Sequence, residues 1–331
     1  MKGTKVISRM KLLKALSIGA TFLAPAAQSQ AAEIPDVIRL KNGPIIARYM
    51  DGRMGGNVQG PSLIRVPDWV ENPLGKYYLY FADHRGTYIR LAYADHLLGP
   101  WQTHEAGSLQ LEDSFFPTQV EAGAPPGAYA HIASPDVHVR QDLGEIIMYV
   151  HGRDAIGPQL TRLATSKDGI AFAGRPEILG RPYFRVVTHG GYYYALAMPG
   201  YLYRSKNGID HFEAGPRFFN DDMRHSALLI RDNTLFVFWT QAGDAPEQIY
   251  LSSISLEHDW STWRESPATE LMCPVHEWEG ADLPIAPSER GCIDVRANQL
   301  RDPAIFEEDG HVYLLYSVAG ESGIAIAELK F

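Results

Sequence analysis

Half of the chain's imidazoles sit in a few short segments. Of twelve histidines, His84, His131, His138, His151, His189 and His225 fall at the openings or closing turns of strand-like stretches. The same stretches carry Asp136, in Ser134-Pro135-Asp136-Val137-His138, and Asp302, in Arg301-Asp302-Pro303, with Asn57, Arg185, Arg224, Arg301 and Glu321 nearby. Titratable groups gathered in one cleft are what proton-transfer chemistry requires. Two carboxylates flanking a glycosidic bond are the usual means of hydrolysing it: one protonates the leaving oxygen and the other activates water or attacks carbon. On this reading Asp136 and Asp302 are the carboxylates, Asp136 the more critical, with His189 or His225 as a candidate acid. Arg185, Arg224 and Arg301 offer the forked donors that grip a substrate carboxylate. Asn57, His84, His131, His138, His151 and Glu321 would complete the wall. Trp239 and Trp278 are candidates to stack on sugar faces, and Trp278 is the better placed because it lies in a polar loop. The competing reading is a set of hydrogen bonds tying neighbouring strands together.

His138, His189 and His225 would come from three consecutive repeats and could meet at a metal. Their spacing has no local ligand motif, such as two histidines on one helical turn. No metal ligand is assigned and no cofactor is expected, a divalent cation in the central channel being the alternative. The chain has no glycine-rich phosphate loop and no Gly-x-Ser-x-Gly elbow.

The elements that must position these residues recur five times. First strands open at Pro61–Val66, Ser134–Val139, Tyr183–Val187, Ser226–Ile230 and Asp302–Phe306. Aromatic-rich second strands follow at Lys76–Phe81, Ile146–Val150, Tyr192–Leu196, Leu235–Trp239 and His311–Tyr316. Third strands follow at Ile89–Ala94, Thr161–Ser166, Gly200–Ser205, Ile249–Ser253 and Gly323–Ala327. Gly144-Glu145, Gly190-Gly191, Asp232-Asn233 and Asp309-Gly310 supply the tight hairpins between first and second strands. This grammar predicts an all-β, five-bladed β-propeller whose first strands face a central cavity. A two-sheet sandwich is the alternative. The long inserts after the first and fourth copies read as functional loops at the rim, with the segment from Trp278 to Arg290 as a lid or subsite wall.

Lys2, Lys5, Arg9, Lys11 and Lys14 precede a short apolar run, Ala15 to Ala24, closed by Pro25. Ser29-Gln30-Ala31 then offers the small residues a signal peptidase reads. Residues 1–32 are predicted to be a cleaved signal peptide, giving a mature N-terminus near Ala32 and a periplasmic or secreted protein. Residues 33–331 would form one catalytic propeller domain. An N-terminal membrane anchor is the alternative, but spanning needs about 20 apolar residues.

Five of the 30 basic residues lie in this leader and none of the 39 acids does, so the remainder carries 25 against 39, a net charge of −14. So acidic a chain is a poor nucleic-acid binder, and no later segment is apolar enough for stable membrane insertion. The partner expected is a carbohydrate substrate; nothing in the sequence sets the oligomeric state. Cys273 and Cys292 would either pair, as cysteines of an exported protein can, or remain two unpaired small residues.

From residue 57 to 331 the chain resembles the five-bladed propeller glycosidases, the superfamily of glycoside hydrolase family 43 and its arabinanase and xylosidase relatives. The residues that carry the likeness are Arg301-Asp302-Pro303-Ala304-Ile305, Ser134-Pro135-Asp136-Val137, and second strands such as Tyr77-Tyr78-Leu79-Tyr80 and Tyr192-Tyr193-Tyr194. The resemblance implies a first-blade aspartate as base, a second-blade aspartate that tunes and orients, and a third-blade glutamate as acid. Only the second matches, at Asp136. The first blade opens Gly60-Pro61-Ser62, and the third, Phe184-Arg185-Val186, has an arginine where the glutamate is expected. In the related family 117 anhydrogalactosidases a histidine is thought to serve as acid. The expectation is therefore an exported glycoside hydrolase acting on a plant or algal glycan. The alternatives are a polysaccharide lyase acting on a uronate and a sugar-binding propeller without catalysis.

Overall fold

The computed structural model describes residue 1 and residues 34–331. The leader and the cleavage point at Ala32 lie outside the described residues, Met1 apart. Five antiparallel sheets meander outward from first strands Gln59–Arg65, Ile132–Arg140, Arg185–His189, Met223–Arg231 and Arg301–Glu308. The first strands lie side by side around one axis. The architecture is the five-bladed β-propeller predicted, with helix among the described residues only as three single turns.

The aromatic second strands are explained by burial on both faces. Tyr77, Leu79 and Phe81 point into the core shared with blade five, while Tyr78, Tyr80 and Ala82 point into the core shared with blade two. Successive strand residues face opposite ways, so a sheet sandwiched between two neighbours reads as continuously apolar. Five such clusters fill the five gaps between blades.

Each blade also carries a fourth strand. Blade five takes its own from the start of the described chain: Asp36–Arg39 pairs antiparallel with Gly323–Lys330, joining Asp36 to Lys330. Nothing in the repeat pattern announced this strand. Cys273 and Cys292 are both free, so the pairing alternative does not hold.

Four first strands share one irregularity. Their registers slip by one residue between Gln59 and Ser62, Ala133 and Asp136, Met223 and Ser226, and Arg301 and Ala304. Such a β-bulge re-aims the side chains around it. In three blades the bulge is built from a residue in the left-handed region followed by proline: Gly60 (φ 63°), Ser134 (φ 49°) and Asp302 (φ 48°) precede Pro61, Pro135 and Pro303. Proline is tolerated there because a bulge does not need its missing N–H.

Candidate active site

The channel holds two cavities. The upper one, at the end where the first strands begin, has a volume of about 330 Å3; the lower one, toward the first hairpins, about 770 Å3. Arg185 lies between them. Its side chain is 3 % exposed, bonds to the carbonyls of Ser226 and Pro135, and stands 5.5 Å from the centre of the Tyr183 ring.

The upper cavity is lined by His84, His151, Tyr183, Arg224 and His225 among others. Behind this wall lies the Asp302 carboxylate, fully buried. Tyr183 donates its hydroxyl proton to Asp302 Oδ1, and His225 Nε2 stands 3.4 Å from the same oxygen. His225 Nδ1 is 3.3 Å from the Asp302 backbone N–H. Asp302 Oδ2 has no hydrogen-bond partner among the described residues. Burial, and then the charge of Glu321, push the Asp302 carboxyl up to about 6. Burial and the adjacent Arg224 and Arg301 push His225 well below the usual imidazole range, so the ring is neutral. His151, Tyr183 and His225 form a stack with ring centres 5.1 and 4.9 Å apart.

A second histidine–carboxylate pair opens on the same cavity. His84 Nδ1 lies 3.2 Å from Glu321 Oε1. Asn57 holds both members, accepting from the His84 N–H at 2.9 Å and donating to Glu321 Oε2 at 2.7 Å. Arg301 donates to Glu321 at 2.8 Å and faces Glu247 at 3.2 Å, and Arg224 reaches Glu247 at 3.3 Å. Burial works to raise Glu321, but His84, Arg301 and Asn57 outweigh it and hold the carboxyl down at about 2. His131 is buried behind His151, with ring centres 5.8 Å apart, and burial lowers it to about 4.

Several expected site residues lie elsewhere. Asp136 and His138 line the lower cavity, with Asp136 Oδ2 2.8 Å from both His138 Nε2 and the Val186 N–H. Burial would raise Asp136, yet His138 and Arg185 outweigh it and its pKa is lowered. His189 sits at the closed end of its strand, paired with Tyr192 beside the Gly190-Gly191 hairpin, outside both cavities. It cannot be the acid of the upper site, because its strand carries it toward the opposite face. Trp239 is no sugar platform: it is packed between Phe219 and Tyr250, and its indole N–H is bonded to Ser252. Trp278 stacks on His276 over a separate outer hollow that includes Arg48 and Arg296. The insert contributes Arg290 and Gly291 to the upper cavity instead. Among the described residues no three His, Cys, Asp or Glu side chains converge as a metal set, and His138, His189 and His225 stand in three different places. The residue pattern held no sign of Tyr183 as a partner for Asp302, because the left-handed φ of 71° that sets it at the strand opening is a backbone feature that spacing does not show.

Where the first blade opens, the backbone itself leaves no room for a carboxylate side chain. A Cβ at Gly60 would lie 2.9 Å from Ser134 Cα, so no carboxylate fits there without moving the second blade.

No model of a known protein family matches the chain. In fold it is similar to a putative glycoside hydrolase from Bacteroides ovatus, with TM-score 0.61 and 13 % identity over 90 % of this chain and 97 % of that one. It is likewise similar to a family 43 enzyme from Xanthomonas citri solved with xylose (TM-score 0.55, 12 % identity, 86 % and 90 % covered). A family 43 β-xylosidase/α-arabinofuranosidase from a compost metagenome gives TM-score 0.55 at 13 % identity, covering 89 % and 95 %. In sequence the chain is 36 % identical over 302 residues to the uncharacterized protein R118 of Acanthamoeba polyphaga mimivirus, covering 82 % of this chain and 83 % of that protein. The chain belongs to the family of this mimivirus protein, and its propeller has the fold of the family 43 glycoside hydrolases.

Proposed function

We propose that the chain is an exported glycosidase that cleaves a carbohydrate in the upper cavity. The observation that supports this reading is the meeting of two histidine–carboxylate pairs, His225–Asp302 and His84–Glu321, at one cavity. Their environments push the two carboxyls apart, Asp302 up and Glu321 down, which is how paired acid and base roles are told apart. Asp302 holds a proton up to about pH 6, so its pair with His225 supplies the proton to the leaving glycosidic oxygen below that pH. Glu321 stays ionised and orients His84 to take a proton from water, whose oxygen adds to the anomeric carbon. A second reading, elimination beside a uronate carboxylate, is favoured by a wall that presents imidazoles, Tyr183 and arginines but no carboxylate.

One experiment separates the readings. The protein is incubated with a panel of plant and algal oligosaccharides and the products are weighed by mass spectrometry. Hydrolysis gives products that have gained one water. Elimination gives an ultraviolet-absorbing product with no added water. No turnover across the panel, with binding retained, would overturn both in favour of a sugar-binding propeller.

A further inference from the structure

The upper cavity is cationic in a chain whose formal net charge is −9. Arg153, Arg181, Arg224 and Arg290 line it, and no aspartate or glutamate does. Two of these guanidinium groups are already committed. Arg224 faces Glu247 at 3.3 Å, and Arg290 bonds to the Asp221 carbonyl with Asp222 at 3.5 Å. The other two are not. Arg153 donates from Nη1 to the Gly157 carbonyl at 3.1 Å while its Nε is buried with no partner. Arg181 lies over the Tyr201 ring at 4.0 Å. Neither has an ion-pair partner among the described residues. Beside them His151, 6 % exposed, keeps an unpartnered Nδ1.

A buried donor without an acceptor is costly unless something brings one. Guanidinium forks match planar or tetrahedral oxyanions better than they match hydroxyls. Resting on the glycosidase reading of this cavity, we infer that its sugar carries an oxyanion, a carboxylate or a sulfate ester, and that Arg153 and Arg181 are the residues that select it. Arg153 belongs to blade two and Arg181 to the segment leading into blade three, whereas Asp302 and Glu321 belong to blade five, so the two arginines act on choice of substrate rather than on proton transfer.

The test is calorimetric titration of the full-length protein with trigalacturonate and with its neutral counterpart, galactotriose. The charged trisaccharide is expected to bind at least about tenfold more tightly, the size of one charge-assisted hydrogen bond, and its advantage should shrink as salt is added. In the Arg153→Gln/Arg181→Gln double variant the advantage, read as the ratio of the two affinities, should vanish, with melting temperature as the control for folding. Galacturonate against galactose 6-sulfate then tells the two oxyanions apart, since tighter binding of either names the group. Equal affinity for charged and neutral trisaccharides would overturn the inference and leave the glycosidase reading standing. So would a charged preference that survives the double variant. Should that variant fail to fold, the salt dependence of the wild-type protein decides alone: a charged-ligand affinity indifferent to salt overturns the inference. Failure of the protein to bind any saccharide, charged or neutral, would overturn the glycosidase reading itself.

Discussion

The two ends of the channel are made by the same five strands and reach opposite chemical states. At the lower end Asp136 is saturated. One of its oxygens takes bonds from the Val186 N–H and His138, and the other faces Arg185 at 3.6 Å. At the upper end Asp302 keeps one oxygen without a partner and shares the other with Tyr183 and His225. The saturated carboxylate is stabilised as an anion, and it ties blade two to blade three. The unsaturated one is easier to protonate, as a group that must hand on a proton should be. Within one fold, a carboxylate's partners rather than its place in a repeat decide whether it is held as an anion or readily protonated.

The sharpest test of this contrast is at the upper end. Asp302→Asn and His225→Ala are each expected to lower turnover by about 10² to 10⁴, the range for losing a participating acid or base, with melting temperature as the control for folding. The pH–rate profile should sharpen it further. If the protonated Asp302–His225 pair is the donor, turnover falls as pH rises through about 6, and Asp302→Asn removes that limb. The sign for stability is the same. A carboxyl raised in the folded state binds more protons there than in the unfolded chain, so Asp302 makes the fold less stable as pH climbs from about 4 to about 6. Glu321 has the opposite sign, contributing stability above its unfolded value that is lost as pH falls toward about 2. Chemical denaturation at several pH values measures both.

Smaller effects follow. Tyr183→Phe removes the donor that favours the ionised Asp302, so it should move the descending limb of the pH–rate profile to higher pH. Asp136→Asn should lower stability by about 1–3 kcal/mol through the disturbed tie to Val186 and His138, while activity per folded molecule changes little. The reverse pattern, a stable Asp136→Asn protein without turnover, would break the contrast and return the chemistry to the lower cavity. His189→Ala, beside its hairpin, should stay within about 0.5 kcal/mol of the parent in stability and match it in turnover.

The fold was legible because blade strands are buried on both sides and repeat. Tyr77-Tyr78-Leu79-Tyr80 and Tyr192-Tyr193-Tyr194 can only be so apolar if neighbours cover both faces. The site was legible in its residue types but not in its partition. Asp136 and Asp302 both stand beside a strand-opening proline, which makes them look equivalent. Asp302 precedes its proline at the bulge and Asp136 follows its own. That offset turns one toward Tyr183 and His225 and the other toward His138. Sequence spacing shows no bulge, so it could not show this. His189 was misplaced for a related reason: strand membership was readable, but the end of the strand that meets the cavity was not. The fourth strand of blade five was hidden because its partner lies at the far end of the chain.

That last pairing has a kinetic consequence. Joining Asp36 to Lys330 closes a loop of nearly the whole described chain, and contacts so distant in sequence are the slowest to form. The ring cannot shut until Gly323–Lys330 has been made, and until then Asp36–Arg39 waits as an unpaired strand, a template for wrong partners. Substitutions that weaken Asp36–Arg39 should therefore show first as aggregation during synthesis. The finished ring would have a clasp that is last to fasten and first to come undone.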